Sequence, residues 1–176
     1  FKVILDKYFE YSKGIYKDLT RLRDKIKSSK DLKKFSKELK SLEKEITLFH
    51  AKAVNQILKK TKVNVDFIGF HGQTIYHDAA YYVTREKISR QLGDGKLLSK
   101  LTKKKVVYNF RQNDLKNGGQ GAPLTPIFHE LLAKKIKIKP VAFVNLGGIT
   151  NMTGIWKNGK IAHARDIGPG MCLIDQ

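Results

Sequence analysis

The sequence predicts an α/β fold that carries a Lys-rich helical segment at its N-terminal side. Two observations carry this. Over residues 31–57 apolar side chains recur at steps of three and four, which draws one stripe along one face of a helix. After Lys62 the pattern changes to short apolar, β-branched runs that alternate with helical stretches and end in glycine-rich turns, the pattern of strands feeding an α/β sheet. With 176 residues, 41% of them apolar and 10% aromatic, the chain has enough material for a packed core.

Residues 1–62 contain no proline, and Gly14 is their only glycine. The stripe runs Leu32, Phe35, Leu39, Leu42, Ile46, Phe49, Ala53 and Ile57. Asp31 is the expected N-cap of this long helix, with Ser28 and Ser29 just ahead of it. A shorter helix is expected over Tyr11–Lys27. The stripe is read as core and the lysines as solvent-facing, so no chemistry is expected here. Beyond it, Val63–Phe70, Val106–Tyr108, Val141–Leu146 and Ile161–Ala164 read as strands, and Glu86–Gln91, Gly95–Thr102 and Pro126–Lys135 as helices. The expected organisation is a helical segment over 1–62 packed on a first lobe, the rest of that lobe over 63–140, and the start of a second lobe over 141–176.

The formal charge of +19 invites a nucleic-acid or membrane reading. Its distribution argues against both. The net charge is +10 over residues 1–62 and +9 over 63–176, and only six of the 35 basic residues are Arg. Base readout and phosphate forks favour Arg. The expectation is therefore no nucleic-acid partner and no membrane partner, with a solvated basic surface in their place. No run approaches the roughly 18 apolar residues of a membrane span, and no secretory signal opens the chain. A single cysteine, Cys172, excludes an internal disulfide framework and suggests a reducing, cytoplasmic setting. The first residue is Phe, which suggests a processed product or a piece of something longer.

In open α/β sheets ligands sit at the carboxyl ends of strands, so the turns are where chemistry is expected. In Phe70-His71-Gly72-Gln73-Thr74, the glycine permits a tight turn while His71, Gln73 and Thr74 offer donors and acceptors suited to a polyhydroxylated ligand. A plain hydrogen-bonded turn is the alternative. Arg111, followed by Gly118-Gly119-Gln120-Gly121, combines a carboxylate fork with bare amides; a surface loop is the alternative there. His129-Glu130 lacks the second His of a zinc helix, so no metal site is expected from it. It reads as a helix-surface or core-edge histidine. Asn145-Leu146-Gly147-Gly148 joins a strand to a double glycine whose bare amides suit a phosphate, without a Walker or dinucleotide motif; a simple hairpin fits equally. In Asp166-Ile167-Gly168-Pro169-Gly170 a strand ends and delivers one carboxylate to a turn, as a general base, as a metal ligand through water, or as a cap of the turn or the next helix.

Taken in order, five runs resemble the anhydro-N-acetylmuramic acid kinase family: Asp66–His77, Gln91–Gly95, Phe110-Arg111 with Gly118–Pro126, Asn145–Thr153, and Asp166–Gly170 with Leu173 and Asp175. The resemblance is strong over 63–176 and covers the Lys-rich helices by position and character only. It implies ribonuclease-H-like lobes of the actin-like and sugar-kinase ATPase fold. The implied reaction uses ATP, Mg2+ and water to open the 1,6-anhydro ring and phosphorylate O6, in peptidoglycan and amino-sugar recycling. It further implies Asp166 as the base that activates water, and Gln73, Thr74, Arg111, Gly119 and Gln120 on the sugar side. Asn145, Gly147, Gly148, Gly168 and Gly170 fall at the nucleotide phosphates.

The chain departs from the family in three ways. The family's Gly-Thr-Ser-Met-Asp-Gly phosphate loop does not occur, Met171 stands where Asn is usual, and Ile167 stands where Thr is usual. The expectation is an internal fragment that is inactive alone, with a homodimer or a complementary polypeptide as the open choice of partner. A non-catalytic remnant that retains part of a sugar cleft is the alternative function.

Overall fold

The structure is a computed structural model, and it describes residues 2–78 and 87–171. Cys172, Leu173 and Asp175 therefore lie outside the described residues. The chain divides into two compact units, residues 1–115 and 116–176.

The first unit opens with three helices: α1 (Lys13–Lys25), α2 (Ser29–Lys34) and α3 (Ser36–Lys60). Ser12 caps α1 by accepting the Ile15 N–H at 3.3 Å. The single long helix expected from Asp31 is broken at Phe35, whose φ of −97° and ψ of 19° separate α2 from α3. Asp31 is not the N-cap. Ser28 holds that place, and its N–H and Oγ–H donate to Asp31 Oδ2 at 2.9 and 2.8 Å, as in a capping box. The stripe does reach the core. Leu39, Leu42 and Ile46 are buried with Ile15, Leu22 and Ile26 of the α1 side, while Leu32, Phe35 and Phe49 flank them half-buried.

The core closes on a hairpin of β2 (Gln73–Asp78) and β3 (Ile88–Leu92), through Ile75 and Leu92. The expected helix over Glu86–Gln91 is overturned at its described residues, since Ile88–Leu92 is an antiparallel partner of β2. Ile88 and Leu92 stand four apart, a helical spacing; non-local pairing decided against it. Around this hairpin, β1 (Phe67–Phe70) pairs in parallel with β4 (Lys105–Tyr108), which follows α4 (Gly95–Thr102). Two polar groups of α3 fix the junction of β3 and α4. Glu43 accepts the Gly93 N–H at 3.1 Å, and the fully buried Thr47 accepts the Asp94 N–H at 3.0 Å.

α5 (Phe110–Lys116) follows β4. The second unit holds α6 (Pro126–Ala133) and a three-stranded antiparallel meander of β5 (Val141–Leu146), β6 (Ile149–Ile155) and β7 (Ile161–Pro169). The sequence predicted strands of an α/β sheet divided between two lobes. The described strands instead form one parallel pair, one antiparallel pair and this meander. No helix of the described residues is long and apolar enough to cross a membrane.

Candidate functional site

In the first unit, β1 runs into His71 and then Gly72, whose φ is +72°. A Cβ at Gly72 would lie 2.6 Å from the Leu92 carbonyl oxygen, so both backbone conformation and space demand glycine. Arg111, in the first turn of α5, donates its Nε–H to His71 Nε2 at 2.9 Å. A guanidinium only donates, so Nε2 must accept. The ring proton then sits on Nδ1 and points at the Gly72 carbonyl, 2.8 Å away. Arg111 thus holds the turn that leads into Gln73 and Thr74.

Gln73 and Thr74 head β2 rather than sit in the turn itself. They stand on different faces of the hairpin, because successive strand residues alternate. Gln73 pairs with Leu92, which faces the helical core. Thr74 pairs with Gln91, whose Nε2 donates to Thr74 Oγ1 at 3.3 Å and to Ser89 Oγ at 2.7 Å. His77 Nδ1 joins Ser89 Oγ at 3.0 Å, and Gln112 Nε2 donates to the Ser89 carbonyl. This polar row of His77, Ser89, Gln91 and Gln112 was not singled out in the sequence. Only the strand pairing, unseen there, collects it. Gly119 and Gln120 belong to the second unit, the former half-buried and the latter exposed, between left-handed Gly118 and Gly121.

The second unit brings its two glycine turns together. The Gly170 N–H donates to the Gly148 carbonyl at 2.9 Å, and the Met171 N–H to the Gly147 carbonyl at 2.8 Å. The carboxylate does not stand where a strand stops, as the sequence suggested. β7 continues through Asp166 to Pro169 and pairs with β6 up to Ile149. Proline is tolerated there because β7 is an edge strand and its N–H is not needed by a neighbour. The register slips between Thr150, which pairs with Gly168, and Asn151, which pairs with Asp166. Ile167 is therefore the extra residue of a β-bulge, a device that re-aims side chains. Asp166 is exposed, and among the described residues no side chain is bonded to its carboxylate. Asn145, Asn151 and Asp166 form one cross-strand row. In the next row α6 covers the sheet: His129 stacks on Phe143 at 4.8 Å and its Nδ1 lies 2.8 Å from Thr153 Oγ1. That makes His129 a core-edge histidine. Among the described residues no group of three or more His, Cys, Asp or Glu could hold a metal ion.

Comparison with known proteins adds a name to this geometry. The family model described as anhydro-N-acetylmuramic acid kinase matches residues 4–176. A Pelagibacter ubique (strain HTCC1062) protein called anhydro-N-acetylmuramic acid kinase is 56% identical over 178 residues, covering 100% of this chain and 46% of its own length. A protein of the same name from Agrobacterium fabrum is 39% identical over 175 residues, covering 96% of this chain and 45% of its own. One from Rhizobium etli is 46% identical over 136 residues, covering 74% of this chain and 35% of its own. The chain thus spans less than half the length of these curated relatives. The similarity reaches through the Lys-rich helices as well, where the sequence motifs alone did not.

Proposed function

This chain belongs to the anhydro-N-acetylmuramic acid kinase family, and from that premise we propose that it supplies the sugar-side and base-side parts of an ATP-dependent anhydro-sugar kinase. The observation that carries the reading is the clasp in the second unit. Two backbone hydrogen bonds tie the Gly147-Gly148 turn to Gly170 and Met171, next to a bulge that presents the unengaged Asp166. A glycine turn with no side chains in the way suits phosphate oxygens, and an alanine Cβ at Gly168 would meet nothing within 4 Å. ATP is a substrate in this reading, with its phosphates near Asn145, Gly147, Gly148, Gly168 and Gly170.

The chemistry assigned to Asp166 is removal of one proton from water as that water's oxygen bonds to the anomeric carbon. The C1–O6 bond breaks, and O6 takes the γ-phosphoryl group while ADP leaves. Gln73 and Thr74 in the first unit, and separately Gly119 and Gln120 in the second, keep the sugar-side assignment that the family resemblance implies, with Arg111 as a further candidate for a carboxylate. The family also implies Mg2+, but the described residues offer no cluster to hold it, so no step is derived through a metal. The meander of β5, β6 and β7 with α6 on one face supports assignment to a ribonuclease-H-like lobe. Phosphoryl transfer depends on positioned phosphates, and a chain of under half its relatives' length is read as inactive by itself.

The test is a chimera in which these residues replace the matching stretch of the Pelagibacter ubique relative. Its ATP-dependent conversion of anhydro-N-acetylmuramic acid is compared with that of the 176-residue protein. Turnover in the chimera alone is expected. A chimera that folds and binds ATP yet leaves the anhydro ring intact would overturn the reading.

A further inference from the structure

The Lys-rich helices were read as carrying no chemistry, yet α3 turns one carboxylate inward. Glu38 of this helix pairs with Arg21, and Glu45 is exposed. Glu43 is only 19% exposed and reaches the end of β3. Its Oε1 accepts the Gly93 N–H at 3.1 Å, and Arg90 Nη2 lies 3.1 Å from each carboxylate oxygen, which fixes the side chain. Arg90 is itself held, because its Nη1 donates to the Gln91 carbonyl at 3.0 Å. Thr47, one helical turn further on the same face, takes the next amide, that of Asp94.

The turn gripped in this way is the wall behind Gly72. A Cβ at Gly93 would lie 2.7 Å from the Phe70 ring and 3.2 Å from the Gly72 Cα. The two turns therefore meet backbone to backbone, with no side chain between them to absorb a shift. β2 begins at Gln73, directly after Gly72, and Gln73 and Thr74 are in register with Leu92 and Gln91. A displacement of Gly93 is passed to Gly72 and to the head of β2. A partly buried ion pair adds little net stability over a well-packed apolar side chain of similar size, so what this pair contributes is geometry.

We propose that Glu43 is a positioning residue for the sugar side, which acts through Gly93 and Gly72 to set where Gln73 and Thr74 stand. It touches no substrate itself. The proposal rests on the sugar-side reading of Gln73 and Thr74 and assigns part of that task to a helix outside the glycine turns.

The test uses the chimera described above, with ATP and anhydro-N-acetylmuramic acid varied in turn. Glu43→Met keeps the length and packing of the side chain and removes the acceptor. It should raise KM for the sugar about 5- to 50-fold, the effect of misplacing one or two hydrogen bonds, with KM for ATP within about twofold. Glu43→Gln keeps an oxygen for the Gly93 N–H and should stay within about threefold of wild type. Arg90→Met frees the carboxylate and should raise the sugar KM about two- to fivefold. A fold that is merely destabilised loses active molecules, and so lowers kcat while both KM values stand. A fall in kcat alone in Glu43→Met, an equal rise of both KM values, or a Glu43→Gln variant as impaired as Glu43→Met overturns the proposal. If Glu43→Met does not fold, an unchanged sugar KM in Arg90→Met overturns it. Gln73→Leu and Thr74→Val test the reading beneath. A raised sugar KM in either of these with none in Glu43→Met removes the role of Glu43 and leaves the sugar-side reading intact. An unchanged sugar KM in both removes the sugar-side reading, and the proposal with it.

Discussion

Replacing Gly170 by alanine tests whether the two glycine turns of the second unit work as one clasp. The new Cβ would run into the Gly147 carbonyl oxygen, and would lie 2.9 Å from Thr150 Oγ1 and 3.2 Å from Thr150 N. Two of these three are backbone atoms held in the β6 turn, so they cannot swing aside as the end of a long side chain would. Relief comes from pulling residues 170 and 171 away, which breaks the bonds from Gly170 N–H to Gly148 and from Met171 N–H to Gly147, 2.9 and 2.8 Å long. Each such bond contributes about 0.5–1.5 kcal/mol net, so the local loss is about 1–3 kcal/mol. Gly168 is the internal control, since a Cβ there meets nothing within 4 Å. Gly168→Ala should be neutral, or stabilise by up to about 1 kcal/mol through the unfolded chain. Amide hydrogen exchange reads the difference directly. Protection of the residue 170 and 171 amides should fall about 5- to 150-fold in Gly170→Ala and stay within about twofold of wild type in Gly168→Ala. Equal protection in the two variants would refute the clasp, and with it the observation on which the phosphate reading rests.

Three further outcomes are expected. In the chimera, Asp166→Asn should lower kcat by about 10²–10⁴ while ATP affinity stays nearly constant; full kcat with a lowered melting temperature would make Asp166 a structural residue. Hydrogen bonds from Ser28 Oγ and then the Lys27 N–H hold the Asp31 carboxyl below its ordinary value of 3.8. The group is therefore a depressed acid, and its support of α2 is complete above that value and lost as the pH falls through the lower folded one. The amide shifts of residues 27 and 28 should follow this titration in wild type and ignore pH in Asp31→Asn. Thr47→Val keeps the shape of a fully buried side chain but removes the acceptor of the Asp94 N–H and the donor to the Glu43 carbonyl, bonds of 3.0 and 2.7 Å. Urea unfolding should show a loss of about 1–3 kcal/mol; an unchanged midpoint would mean that this junction does not anchor α4.

What could be read along the chain was whatever repeats locally. The apolar stripe through Leu39, Leu42 and Ile46 marked α3 and its buried face, because helical periodicity is a property of neighbouring residues. The glycine turns at Gly72 and Gly147-Gly148, and the resemblance they carried, were legible for the same reason. The break at Phe35 was not legible, because the apolar stripe passes straight through it. Register decided the rest, and register is a non-local pairing. It made Ile88–Leu92 a strand, sent Gln73 and Thr74 to different faces, and put the bulge of Ile167 beside Asp166. Nor does a list of residues distinguish Arg21 from Arg23, two positions apart on one helix. Glu38 of α3 pairs with the first, while the second has only its exposed chain neighbour Asp24. That difference exists only once two helices have packed, since a charge has no partner until the fold brings one within reach.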